Sequence, residues 1–130
     1  MFGKDKNHWF YKAEKLYKRG KMRSPYKTLF EYSMSISCVT KHKLFGHYDF
    51  FRDAEIRSEL DNIVKELASV LPIDLLNNFN TAFENYKTLG EDPDYDDIEK
   101  LLYPLDDYAF DREEEMASIL QNYIEMNESL

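Results

Sequence analysis

Between Ile56 and Leu71 the apolar residues recur at helical intervals (Ile56, Leu60, Ile63, Val64, Leu67, Leu71), with charged side chains on the opposite face. That period puts a hydrocarbon stripe along one side of a helix, and such a stripe must be buried against other helices. The spacing predicts a helix over about Asp53 to Val70. Similar faces predict helices over about Asp5 to Lys18 (Trp9, Ala13, Leu16, Tyr17) and from Pro25 to about Val39 (Leu29, Tyr32, Ser33, Ile36, Val39). Two more are predicted over about Ile73 to Thr88 (Leu76, Phe79, Phe83, Tyr86) and Asp111 to Met126 (Met116, Ile119, Leu120, Tyr123, Ile124).

Punctuation residues set the boundaries. Gly20 and Gly90 read as helix stops, Ser24-Pro25 as an N-cap followed by proline, and Pro72 as a break. A short helix from Asp96 to Tyr103 is expected to end at Pro104. The short connection at Pro72 suggests antiparallel neighbours. In the "SMSISC" stretch, Met34, Ile36 and Cys38 alternate with serines, so a short strand competes with the helix there. Lys41 to Asp53 has no clean period. Phe45-Gly46-His47 reads as a turn, with Tyr48, Phe50 and Phe51 as core anchors beside it.

A chain of 130 residues with 43% hydrophobic residues and only 4 Gly and 4 Pro fits one all-α domain spanning residues 1–130, of about five to six helices. The expected core is Trp9, Leu16, Leu29, Ile36, Phe50, Ile56, Leu60, Ile63, Leu67, Leu76, Phe79, Phe83, Ile119, Leu120 and Tyr123.

Charge divides the chain in two. Residues 1–52 carry 12 Lys and Arg against 4 Asp and Glu, a net +8, whereas residues 53–130 carry 5 against 21, a net −16. Segregation of this kind points to interaction, either between the halves or with other molecules. Within residues 91–115, 12 of 25 residues are carboxylates. Asp92, Asp94, Asp96, Asp97, Glu99, Asp106, Asp107, Asp111, Glu113, Glu114 and Glu115 are the candidate partner-binding residues. Carboxylates arrayed on helices can meet Lys and Arg as nucleic-acid phosphates do.

Several chemistries find no support in the residues. The run Asp92-Pro93-Asp94-Tyr95-Asp96-Asp97 opens like a calcium loop, but the sixth position is Asp97 rather than glycine and the twelfth is Tyr103, so it reads as a solvated acidic linker. His8, His42 and His47 make no ligand pattern with Cys38 or a carboxylate, and Cys38 reads as a buried thiol. No phosphate loop, nucleophile elbow or HExxH motif occurs, so no catalytic residue, metal or cofactor is expected. The lone cysteine and the lack of an apolar leader in Met1 to Phe10 suggest the cytoplasm. No stretch reaches the roughly 18 apolar residues a bilayer span needs. The basic aromatic opening (His8-Trp9-Phe10-Tyr11-Lys12) reads as an amphipathic helix rather than a nucleic-acid or membrane site.

Phe45-Gly46-His47-Tyr48-Asp49-Phe50-Phe51, followed by two helices, Leu105-Asp106-Asp107-Tyr108 and Tyr123-Ile124, resembles a bacterial family of helical proteins of unknown function that includes a DNA-mimic protein. The resemblance covers about residues 40–130 and implies an all-α fold, an acidic surface, self-association and blocking of a DNA-binding protein. The expectation is therefore a non-enzymatic acidic binding protein, a DNA mimic or inhibitor masking a basic site on a partner protein. Alternatives are a toxin-immunity protein neutralising a basic toxin, a small enzyme with an unrecognised carboxylate pair, and a homodimer in which the basic half of one copy meets the acidic half of another.

Overall fold

The computed structural model describes residues 8–37 and 46–126. Cys38, Val39, His42, Phe45, the start of the first expected helix and the side chain of His8 lie outside the described set. Among the described residues the fold is all-helical, with seven helices: α1 (His8–Lys18), α2 (Tyr26–Ser37), α3 (His47–Ile56), α4 (Leu60–Ala68), α5 (Ile73–Leu89), α6 (Tyr95–Asp111) and α7 (Glu113–Met126).

The count exceeds the expected five to six because the stretch up to Asp53, expected to have no clean period, is helical from His47, and the helix predicted over Asp53 to Val70 is divided between the end of α3 and α4. α3 ends at Ile56 in a backbone motif in which Glu59 N–H donates to the Ala54 carbonyl (2.9 Å) and Ser58 N–H to the Glu55 carbonyl (3.0 Å). Ser58 takes the left-handed conformation at φ 61. This is the same closure that Gly20 makes at φ 69 after α1, with Lys21 N–H on Leu16 and Gly20 N–H on Tyr17. The break changes the helical phase, so Ile56, expected in the core, is 73% exposed.

Two further boundaries differ. α6 runs through Pro104 to Asp111 instead of ending before it. Proline removes one backbone N–H and crowds the preceding turn. Here Asn85 Nδ2 donates to the Leu101 carbonyl (2.8 Å) and Asn78 Nδ2 to the Leu105 carbonyl (3.0 Å), so side chains from α5 satisfy carbonyls on either side of the proline. The serine-rich stretch is helical up to Ser37, not a strand. Buried Ser33 returns its hydroxyl to the Leu29 and Phe30 carbonyls (2.9 and 3.1 Å), which lets a small polar residue sit in a helix interior.

α2 is central, packing against α3, α4, α6 and α7; α1 lies on α7, and α5 lies on α6 and α3. α4 packs chiefly on α2 and α3 rather than antiparallel to α5. The core holds Trp9, Leu29, Ile36, Phe50, Ile63, Leu67, Phe79 and Leu120 as expected, whereas Leu16, Leu60, Leu76, Phe83, Ile119 and Tyr123 pack around it only partly buried. Phe51, Leu75, Leu102 and Met116 are fully enclosed as well. Phe51 is the aromatic hub, with Phe79, Phe83 and Tyr86 at centroid distances of 5.2, 5.4 and 5.3 Å.

Candidate functional site

α6 has two faces. Ile98, Leu102, Leu105, Asp106 and Ala109 follow helical spacing and point toward α5, α3 and the core. The opposite face carries Asp96, Asp97, Glu99, Asp107 and Asp111, all exposed, with Asp92 and Asp94 exposed just before the helix and Glu114 just after it. Asp96 and Asp97 occupy the first turn of α6, and Glu113 to Glu115 that of α7, where the helix dipole favours carboxylates. Asp111 closes α6 instead of opening the last helix.

Three of the expected partner-binding residues do not belong to this open surface. Asp106 is 1% exposed. Glu113 is half-buried and accepts a hydrogen bond from Ser37 Oγ at 2.8 Å. Glu115 is bound by Arg112 through both Nε and Nη2. The same arginine pairs with Asp74 at 3.2 Å and lies over the Tyr108 ring, which ties α5, α6 and α7 together. The remaining eight, Asp92, Asp94, Asp96, Asp97, Glu99, Asp107, Asp111 and Glu114, make no ion pair with a described residue.

Several cations of the basic half are likewise open among the described residues. Lys15, Lys18, Arg19, Lys21, Arg23 and Lys27 are exposed and make no ion pair with a described residue. Arg57 pairs with Asp53 and Glu59, and Lys87 with Glu84, so these pairs form inside the acidic half. Contacts between the halves include neutral donors: Thr28 Oγ1 donates to Glu66 (2.5 Å) as Ser37 does to Glu113.

Asp106 belongs instead to a buried polar chain. Its Oδ1 accepts the backbone N–H of His47 (2.9 Å) and the His47 Nδ1–H (2.6 Å). With Nδ1 carrying the proton, Nε2 accepts the Tyr32 hydroxyl at 2.6 Å. Tyr32 and His47 are 0% exposed. Tyrosine, imidazole and carboxylate in series resemble an acid–base relay, but no substrate reaches groups this enclosed. The chain instead fixes α2, α3 and α6 in register. Among the described residues Asp106 Oδ2 has no hydrogen-bond partner, a cost that burial imposes on a carboxylate bonded through one oxygen. Burial, then the Asp106 charge, pushes the Tyr32 hydroxyl well above its usual range. This network could have been found in the sequence: Asp106 stands four residues after Leu102 and three before Ala109, on the apolar face of its own helix.

A groove of about 630 Å³ opens beside α2 and α3, with Phe30, Met34 and Phe50 on its lining and Asp49, Arg52 and Ile56 at its wall. Burial raises the Asp49 carboxyl above its ordinary value, and Arg52 opposes the rise. Among the described residues no group of three or more His, Cys, Asp or Glu could hold a metal ion, and no helix is long and apolar enough to cross a membrane.

Among the described residues the fold is thus all-helical, with a carboxylate face on α6 that makes no ion pair. Comparisons with protein-family models, curated proteins and solved structures find no match to this chain.

Proposed function

We propose that this chain is an acidic binding protein whose α6 face covers a basic site on a partner protein, acting as a DNA mimic or inhibitor. The observation that carries this reading is that Asp96, Asp97, Glu99, Asp107 and Asp111 make no ion pair with a described residue. Asp96, Asp97, Glu99, Asp107 and Asp111 sit on one helix of 17 residues, roughly 25 Å long. That helix is held by two asparagine clamps and the Asp106–His47 pair. A preorganised row of like charges keeps its geometry on binding and steers a cationic surface toward it from a distance. Exposed Tyr95 and Tyr108 supply ring surface beside the charges.

Oligolysine is a probe of this face. Its affinity is expected to fall steeply with NaCl, and to drop about tenfold in Asp96→Asn/Asp97→Asn/Glu99→Gln. Neutralising three exposed carboxylates elsewhere, Asp61, Glu84 and Glu125, is expected to change it far less. Equal losses in the two triple variants would mean that oligolysine senses only net charge, and the α6 reading would be abandoned.

A further inference from the structure

The groove beside α2 and α3 is built from the facing sides of two helices. On α3, Asp49, Arg52, Asp53 and Ile56 follow helical spacing along its wall, with Arg57 just past the helix end. α2 supplies Phe30 and Met34, and Phe50 completes an apolar floor that exposed Ile56 extends toward solvent. A groove of about 630 Å³ with such a floor suits a ligand with a bulky hydrocarbon group. Three of the charged side chains on the lining are already engaged. Arg57 pairs with Asp53 (3.1 Å) and also with Glu59 (3.0 Å), and Glu31 accepts the Tyr17 hydroxyl (2.6 Å). Asp49, half-buried, and Arg52, exposed, are different. They make no ion pair with a described residue, each other included, although they stand one turn apart on the same helix.

We infer that this groove binds a free α-amino acid with a bulky apolar side chain, its ammonium held by Asp49, its carboxylate by Arg52 and its side chain laid on Phe30, Met34 and Phe50. Charge decides the class of ligand. A purely anionic ligand is repelled by Asp49, and a purely cationic one by Arg52. A neutral apolar ligand covers both charges and gives neither a partner, which costs desolvation without return. A zwitterion whose two charges flank one carbon satisfies both at once. Residues three apart on a helix hold their β-carbons about 5–6 Å from one another, so both side chains can close on that carbon from the same wall. The guanidinium offers parallel N–H donors to a carboxylate. Burial disfavours the Asp49 charge, and an incoming ammonium offsets that cost. The groove is lined from α1, α2 and α3, so the inference does not rest on the α6 face.

An NMR titration of the isotope-labelled full chain with L-phenylalanine tests this. Amide shifts centred on α2 and α3 are expected to saturate, with a dissociation constant below about 1 mM. Phenethylamine and hydrocinnamate each keep the ring and one of the two charges, and L-alanine keeps both charges without the ring. All three are expected to bind about tenfold more weakly or worse. Asp49→Asn and Arg52→Gln are each expected to weaken L-phenylalanine about tenfold. Asp61→Asn/Lys65→Gln, two exposed charges on α4 outside the lining, is expected to leave it unchanged. The ligand series uses the unaltered chain, so the test stands even where a variant does not fold. Absence of saturable shifts up to about 10 mM L-phenylalanine would overturn the inference. So would phenethylamine or hydrocinnamate binding as tightly as the amino acid, which would reduce the site to a single charge. Unchanged affinity in Asp49→Asn and Arg52→Gln, shown by circular dichroism to be folded, would overturn it as well. None of these results alters what oligolysine reports about α6, so the two readings fail separately.

Discussion

At Gly46 the backbone and the buried polar chain constrain one another. The residue precedes α3 at φ 102, a conformation that costs any L side chain. A β-carbon there would stand 2.5 Å from Asp106 Oδ2 and 2.6 Å from its Cγ. Gly46→Ala is thus expected to strain the turn and push Asp106 off His47, with a loss of about 3 kcal/mol in denaturant unfolding. Tyr32→Phe keeps the ring packing against Phe50 and Phe79 but leaves His47 Nε2 buried without a donor, and is expected to cost about 1–3 kcal/mol. Alkali probes the same hydroxyl. Tyr32 is held well above its ordinary 10.0, and Tyr17, through burial and its bond to Glu31, is raised to about 12. Both values are higher folded than unfolded. Their contribution to stability is intact below about pH 10 and is lost as pH climbs toward 12. Absorbance of tyrosinate and circular dichroism, followed together, should show ionisation of these residues lagging the exposed ones and coinciding with unfolding.

Helices show how far periodicity reads and where it stops. Gly20 and Gly90 mark real ends because glycine takes positive φ without strain, at 69 and 70 respectively. Ser58 makes the same turn with a side chain that announces nothing, so the apolar period from Ile56 to Leu71 ran unbroken across two helices. Ser58→Gly is expected to raise stability by about 1 kcal/mol, read as a shift in the denaturant midpoint without a change in slope. Pro104 misled in the other direction. A proline inside a helical pattern reads as a stop, but Asn78 and Asn85, seven residues apart on α5, reach the carbonyls around it. Those partners lie 19 to 26 positions away in sequence, beyond the range of any local rule.

At the scale of the molecule, the charge halves decide the response to salt. Were the basic and acidic halves matched across the fold, screening would weaken them and lower the melting temperature. Among the described residues, Lys15, Lys18, Arg19, Lys21, Arg23 and Lys27 on one side and Asp92, Asp94, Asp96, Asp97, Glu99, Asp107, Asp111 and Glu114 on the other are exposed and make no ion pair, and these carboxylates repel along α6 and its flanks. Raising NaCl from about 20 to 200 mM is therefore expected to raise the melting temperature by a few degrees. A fall would mean that attraction between the halves prevails.

From the sequence alone follow the all-helical class, the placement of most helices, the aromatic content of the core and the segregation of charge, because each is written in local spacing and composition. Only the tertiary structure decided which carboxylates are open. Glu113 and Glu115 look like their neighbours in the chain, yet Ser37 and Arg112 claim them, and although Asp106 stands on the apolar face of its helix, nothing local shows that His47 meets it there. Burial and pairing depend on what another helix brings to the same place, and α2, α3 and α6 meet at Tyr32, His47 and Asp106 across separations of 15 and 59 residues.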